Sequence, residues 1–223
     1  MEFASADKAL NDRYKLMIGC VVPRPIGFIS TKSADGIPNL APFSFFNAVS
    51  ANPPTVAFSA GDRGTEMKDT IKNVIEHPEF IVHIVSEPLA EMMNATSGDF
   101  GRHVDEFAES GLTAVPGNMV DVPRVAEALV ALECRMTHHL RIGEVPPVSN
   151  HVLGEVLYWH IDDRIVNDRH HIDADALQAI GRMGGLDYSR TRERMTIERP
   201  VVDPNDPRSI ESYKAAQAQP LPK

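Results

Sequence analysis

Two cations in this chain stand where they could hold a phosphate: Arg24, between Pro23 and Pro25, and Lys68, directly ahead of a run with helical spacing. Arg24 offers a planar pair of donors, and Lys68 sets its charge beside the backbone amides that a helix start leaves without acceptors. Ser44 and Ser50 can add hydroxyls. Between the cations, hydroxyls, amides and small residues stand among aromatics in Phe28-Ile29-Ser30-Thr31 and in Ser44-Phe45-Phe46-Asn47-Ala48-Val49-Ser50. Strands built only to fill a core favour branched apolar side chains, so this pattern points to something polar and aromatic lying against the strands. Each residue also has a plain structural reading. Arg24 can be a surface residue, the serines and Thr31 ordinary strand residues, and Lys68-Asp69-Thr70 a helix cap with a solvated lysine.

Other chemistries are poorly supported. His138-His139 and His170-His171 suggest a metal, but adjacent side chains on a strand point to opposite faces, and no carboxylate stands nearby at a ligand-like helical spacing. No metal site is expected. His139 and Arg141 share the polar face of their strand, where they can approach a ligand or meet solvent. The glycines of Gly181-x-x-Gly184-Gly185 do not follow a strand and open a helix, so they are not a dinucleotide-binding turn. No catalytic triad is visible, and no catalytic side chain is assigned.

The elements that must position these residues are mostly strands. Residues 26–31 and 39–50 read as a hairpin about Asp35-Gly36, closed by Pro53-Pro54, and 55–59 as a third strand. Asp69 is placed to cap a helix carrying Ile71, Val74 and Ile75, which His77-Pro78 stops. Residues 79–85 are apolar on both faces. They should form a central strand covered by a barrel interior on one side and by a helix or partner subunit on the other. Helices at 89–95 and 104–110 and a turn at Pro116-Gly117 read as an excursion from the barrel. Over 129–142, Val130, Leu132, Cys134, Met136, Leu140 and Ile142 alternate with polar residues. A strand over 152–161, a short helix over 175–179 and a turn at Gly184-Gly185 complete the order. The expected organisation is one domain over 1–203, then a proline-rich, flexible tail over 204–223 that is mobile or wrapped on a partner subunit.

The composition narrows the partners. A chain of 223 residues, 43% hydrophobic, can bury a full core, and its formal charge of −9 opposes a phosphate-backbone surface, so no nucleic acid is expected. Its two cysteines make neither a disulfide scaffold nor a thiolate site, which suits a reducing cytoplasm. No signal peptide or membrane span is read.

The stretch Pro23-Arg24-Pro25-Ile26-Gly27-Phe28-Ile29-Ser30-Thr31, the run Asn39-Leu40-Ala41-Pro42-Phe43-Ser44-Phe45-Phe46-Asn47, Asn52-Pro53-Pro54, Lys68-Asp69-Thr70 and Ile180-Gly181-Arg182-Met183-Gly184-Gly185-Leu186-Asp187-Tyr188 occur in this order. Together they resemble the flavin reductase-like family of FMN-binding split β-barrels, the group that includes flavoredoxin, over roughly residues 15 to 200. The resemblance implies a mainly β fold with inserted helices, a Greek-key-like split β-barrel. It implies bound FMN, NAD(P)H as a transient co-substrate, and a homodimer. It places Ser30, Thr31, Phe45 and Asn47 along the flavin and its ribityl chain, Asp69 and Thr70 at the pocket border, and Arg182 with Tyr188 over the site. Arg24, Ser44, Ser50 and Lys68 would then hold the phosphate, and His139 would approach the flavin or its substrate. The function implied is an FMN-dependent oxidoreductase that passes electrons from NAD(P)H to free flavin, a partner monooxygenase or another acceptor. An FMN-binding electron carrier or flavin store is the alternative. A cofactor-free β-barrel interaction module is the third, and the hydroxyl-rich hairpin argues against it.

Overall fold

A computed structural model of the chain describes residues 1–200, Asp203 and Glu211. The chain opens with α1 (Leu10–Cys20), none of whose residues is buried. β1 (Arg24–Pro25) and β2 (Gly27–Lys32) follow, and a turn with Gly36 at φ 82° returns the chain as β3 (Pro38–Phe43), antiparallel to β2. That left-handed φ suits glycine, which has no Cβ to clash. The single strand expected over 39–50 is in fact two. β3 stops at Phe43, and after Ser44-Phe45 the chain continues as β4 (Phe46–Ala51), which pairs with β5 (Pro54–Gly61).

α2 (Asp69–Glu76) buries Ile71 and Val74 as its spacing requires, but its N-cap is Lys68, and Asp69 is its first helical residue. β6 (Glu79–Ile84) and α3 (Ala90–Ala95) lead to α4 (Glu106–Ser110). Asp105 caps α4 by accepting from the Phe107 amide, and Gly111 ends it at φ 72°. The short strands β7 (Ala114–Pro116) and β8 (Pro123–Val125) precede the long pair β9 (Val130–Ile142) and β10 (Ser149–Ile161). α5 (Ala174–Leu177), β11 (Ile180–Arg182) and β12 (Tyr188–Arg190) close the series. These elements lie in one compact unit, Met1–Arg192. In a second unit, Glu193–Lys223, residues 193–200 run without helix or strand. Apart from Glu211, the expected tail over 204–223 lies outside the described residues. No helix among the described residues is long and apolar enough to cross a membrane.

Seven strands form one antiparallel sheet in the order β3-β2-β6-β9-β10-β5-β4. It curls into a split barrel, so that Phe43 of β3 meets Phe58 of β5 with ring centroids 5.3 Å apart, and Phe58 meets Phe80 of β6 at 5.5 Å. Crossing from one edge strand to the other takes place at Ser44-Phe45. Gly27 permits the crossing, because a Cβ there would lie 2.8 Å from the Phe46 ring.

β6 is central and buried on both faces, as its composition requires. Phe80 and Val82 enter the barrel core, while Ile81 lies beneath Val120 and Val122. The chain covers this outer face itself, so it does not call for a partner subunit there. His83 completes the cover: its Nε2 accepts from the Val125 amide at 2.9 Å, and its Nδ1 therefore donates to the Phe28 carbonyl at 2.8 Å. Burial holds the His83 pKa down to about 4 from 6.5, against the bond to Phe28, with the charges of Arg124 and His160 lowering it further. Between those values the unfolded chain takes up a proton that the folded chain refuses. Stability therefore falls with pH across this window and levels off below it. Between pH 7 and 4.5 the wild type should lose about 2–3 kcal/mol more than His83→Gln, which removes the titrating group. Urea denaturation of both proteins at the two pH values measures the difference; equal losses would remove His83 from the account.

Strand β9 departs from its alternation at a bulge: Met136 opposes Gly154 and His138 opposes Leu153, leaving Thr137 unopposed. A bulge reverses which face later residues occupy. Leu140 and Ile142, expected on the apolar face with Val130, are accordingly 52% and 58% exposed. His139 instead turns to Asn150, bonding its Oδ1 at 3.1 Å.

Candidate functional site

The crossing at Ser44-Phe45 opens a cleft of about 530 Å³ between α1 and the β4–β5 edge, within the usual range for small-molecule sites of roughly 300–1,000 Å³. Its walls are apolar, from Met17 and Val21 on one side and Phe45, Phe46 and Val49 on the other. Asn47, Ser44, Ser59 and His151 supply polar groups. A planar ring system suits such walls, since aromatic faces gain most from flat apolar contact.

A smaller cleft of about 110 Å³ adjoins the start of α2 and is lined by Arg63, Lys68, Asp69 and Thr70, among others. Pro42 and Phe43 line this cleft, and the next residues, Ser44 and Phe45, line the larger one. Lys68 forms no ion pair among the described residues. Its ammonium lies 5.7 Å from the centre of the Phe43 ring, and burial lowers its pKa, as does the charge of Arg63, against the charge of Asp99. A half-buried ammonium with no ion-pair contact among the described residues, next to the free amides of a helix start, is matched to an anionic group. The neighbouring charges are already paired: Arg63 with Asp99 at 2.8 Å, and Asp69 with Arg102 at 3.3 Å and Lys72 at 3.6 Å.

The twelve side chains expected at a cofactor divide among these places. Ser44, Phe45 and Asn47 line the larger cleft and Lys68, Asp69 and Thr70 the smaller one. Arg24 lines the larger cleft, but its guanidinium is engaged elsewhere. It donates to the carbonyls of Ile18 at 2.6 Å, Val21 at 2.8 Å and Met183 at 3.0 Å, and to Ser44 Oγ at 3.3 Å. These bonds tie the end of α1 to the turn after β11, and they argue against Arg24 as the phosphate ligand. Ser30 is buried and donates to the Pro123 carbonyl at 2.6 Å, and Thr31 is buried in a hydrogen-bonded chain with Asn39 and Asn73. Ser50, His139 and Arg182 line neither cleft. Ser50 accepts from the Asn52 amide at 3.1 Å. Arg182 folds into its own turn, donating to the Gly185 carbonyl at 2.7 Å and stacking 4.5 Å from the Tyr188 ring centre.

Some lining residues escape a reading of the sequence. Ser59 Oγ and His151 Nδ1 meet at 2.8 Å on the wall of the larger cleft although 92 positions separate them. Glu106 reaches the smaller cleft from α4. Nothing local marks either contact. Arg63 belongs to a turn closed on Glu66, where only its charge could have drawn notice.

An aromatic-walled cleft continuous in sequence with a cationic corner fits a planar cofactor that carries an anionic tail. Comparison with known proteins agrees. The flavin reductase like domain family matches residues 18–174. A protein of Aquifex aeolicus is 41% identical over 190 residues, 84% of this chain and 94% of that protein. Nitrilotriacetate monooxygenase component B from Bacillus cereus superposes with a TM-score of 0.85 at 30% identity, over 88% of this chain and 98% of its own. A 2-nitrobenzoate 2-nitroreductase from Pseudomonas fluorescens superposes with a TM-score of 0.82 at 29% identity, over 92% of this chain and 98% of its own. With the sheet order, the crossing at Ser44-Phe45 and these matches pointing the same way, the chain belongs to the flavin reductase-like domain family, with its split-barrel fold.

Proposed function

We propose that the protein is an FMN-dependent oxidoreductase, homodimeric and cytoplasmic, that takes electrons from NAD(P)H and delivers them to free flavin, a partner monooxygenase or another acceptor. Residues 1–203 are the flavin-binding domain in this reading, and 204–223 are a tail outside it. The observation that carries it is the half-buried Lys68, which makes no ion pair among the described residues, joined through Pro42 to Asn47 with the apolar cleft. FMN, when bound, supplies the redox centre that accepts hydride and passes electrons on. The chain's own residues bind and orient. Lys68 and the first amides of α2 take the phosphate, Phe45 and Asn47 border the ring, and Met17 and Val21 exclude water from its far side. A nicotinamide must then stack transiently in the open part of the cleft, since hydride transfer depends on close approach more than on a protein acid or base. The component B of a monooxygenase among the similar structures supports a monooxygenase as the acceptor.

Purified protein should carry a flavin spectrum that bleaches when NADH or NADPH is added without oxygen. A colourless protein that binds no added FMN would overturn the proposal. A coloured protein that neither nucleotide bleaches would make it an electron carrier or flavin store instead. Light scattering on the same sample reads the dimer.

A further inference from the structure

Beneath the smaller cleft, Thr31, Asn39, Thr70, Asn73 and Glu106 form a buried hydrogen-bonded chain. Its direction is determined at one end. Glu106 accepts from Asn39 Nδ2 at 2.9 Å and from the Leu40 amide at 3.0 Å. An ionised carboxylate only accepts, so Asn39 must turn its nitrogen to Glu106 and its oxygen away. That oxygen takes the hydroxyl protons of Thr70 at 2.8 Å and Thr31 at 3.3 Å, and Thr31 in turn accepts from Asn73 Nδ2 at 3.0 Å. At the far end, Asn73 Oδ1 is buried with no partner. Nothing there holds the direction, so the carboxylate imposes it.

This direction matters because Thr70 and Glu106 both line the cleft that Lys68 borders. Thr70 is the residue type that would ordinarily donate a hydroxyl proton to a phosphate, yet its proton is turned inward and only lone pairs remain for the cleft. Glu106 adds a negative charge to the same corner. Both effects oppose an anion that Lys68 and the start of α2 attract. Burial pushes the Glu106 carboxyl above its ordinary range, and the bonds from Asn39 and the Leu40 amide oppose that rise.

Resting on the reading of the Lys68 corner as a phosphate site, we propose that Glu106 is a positioning residue. It sets the hydrogen-bond polarity of that corner, withholds Thr70's proton from the phosphate, and so keeps a phosphate-bearing flavin exchangeable. Glu106→Gln tests this. Glutamine must still accept the Leu40 amide with its oxygen, which turns its nitrogen to Asn39. Asn39 then rotates, donates to both threonines, and frees the Thr70 proton for the cleft.

FMN affinity by fluorescence titration should rise about 10-fold in Glu106→Gln, the size of one gained bond to a charged group, with riboflavin affinity unchanged. Thr70→Val with Glu106 intact should not lower the ratio of FMN to riboflavin affinity. This second variant decides the question if Glu106→Gln does not fold. An unchanged or lowered ratio in Glu106→Gln, or a selective 10-fold loss of FMN in Thr70→Val, would overturn the proposal. Wild-type protein that binds neither flavin would overturn the reading of the site instead.

Discussion

Replacing Glu133 with alanine should cost the fold about 3–5 kcal/mol, because it leaves several buried donors without an acceptor at about 1–3 kcal/mol for each that water does not reach. The Glu133 side chain is fully buried on β9 under the loop after β7. One oxygen accepts from the Asn118 amide and from His160 Nε2, both at 2.6 Å, and the other from the Met119 and Val120 amides at 2.6 and 3.0 Å. Gly117 lets the loop fold this tightly, since a Cβ there would meet the Val120 carbonyl at 2.8 Å. Alanine would leave these donors facing an empty space. Burial raises the Glu133 pKa, but the Asn118 amide, His160 and the Met119 and Val120 amides outweigh it and hold it below its ordinary value. Its stabilisation is therefore present above the unfolded pKa and lost as pH falls through the folded one. Urea denaturation at pH 7 measures the cost. A loss under about 1 kcal/mol would mean that water replaces the carboxylate without penalty.

The second large effect separates two cations that look alike in the sequence. Lys68→Ala should weaken FMN binding by about 1.5–3 kcal/mol and leave riboflavin, which lacks the phosphate, unchanged. Arg24→Ala should act differently. Without its bonds to Ile18, Val21 and Met183 the end of α1 loses its anchor, and α1 supplies one wall of the larger cleft. FMN and riboflavin should then weaken together, by about 10-fold or more, and stability should fall by about 2–3 kcal/mol. Parallel titrations of both flavins give the comparison. Selective loss of FMN in Arg24→Ala would return that residue to the phosphate.

Several features needed no structure. The turn at Gly36, the burial of Ile71 and Val74 on α2, the doubly buried β6 and the mainly β split barrel were all legible, because each depends on neighbours in sequence or on the order of a few motifs. Residue type and position singled out Ser44 and Lys68, and the family resemblance Phe45, Asn47, Asp69 and Thr70; all six line the clefts.

What tertiary structure alone decided was the use made of those side chains. Whether Arg24 meets a ligand or its own backbone depends on where α1 and the turn after β11 come to rest. The break at Ser44-Phe45 arises because the two halves of the run pair with different strands, β3 with β2 and β4 with β5, and a one-dimensional pattern does not record pairing. The bulge at Thr137 moves Leu140 and Ile142 outward through the register against β10. Ser59 with His151, and Asn39 with Glu106 across 67 positions, meet only when the barrel closes. Period and propensity act over a few residues, so they specify elements; hydrogen-bond direction and cleft walls are set by contacts between residues that the chain brings together from far apart.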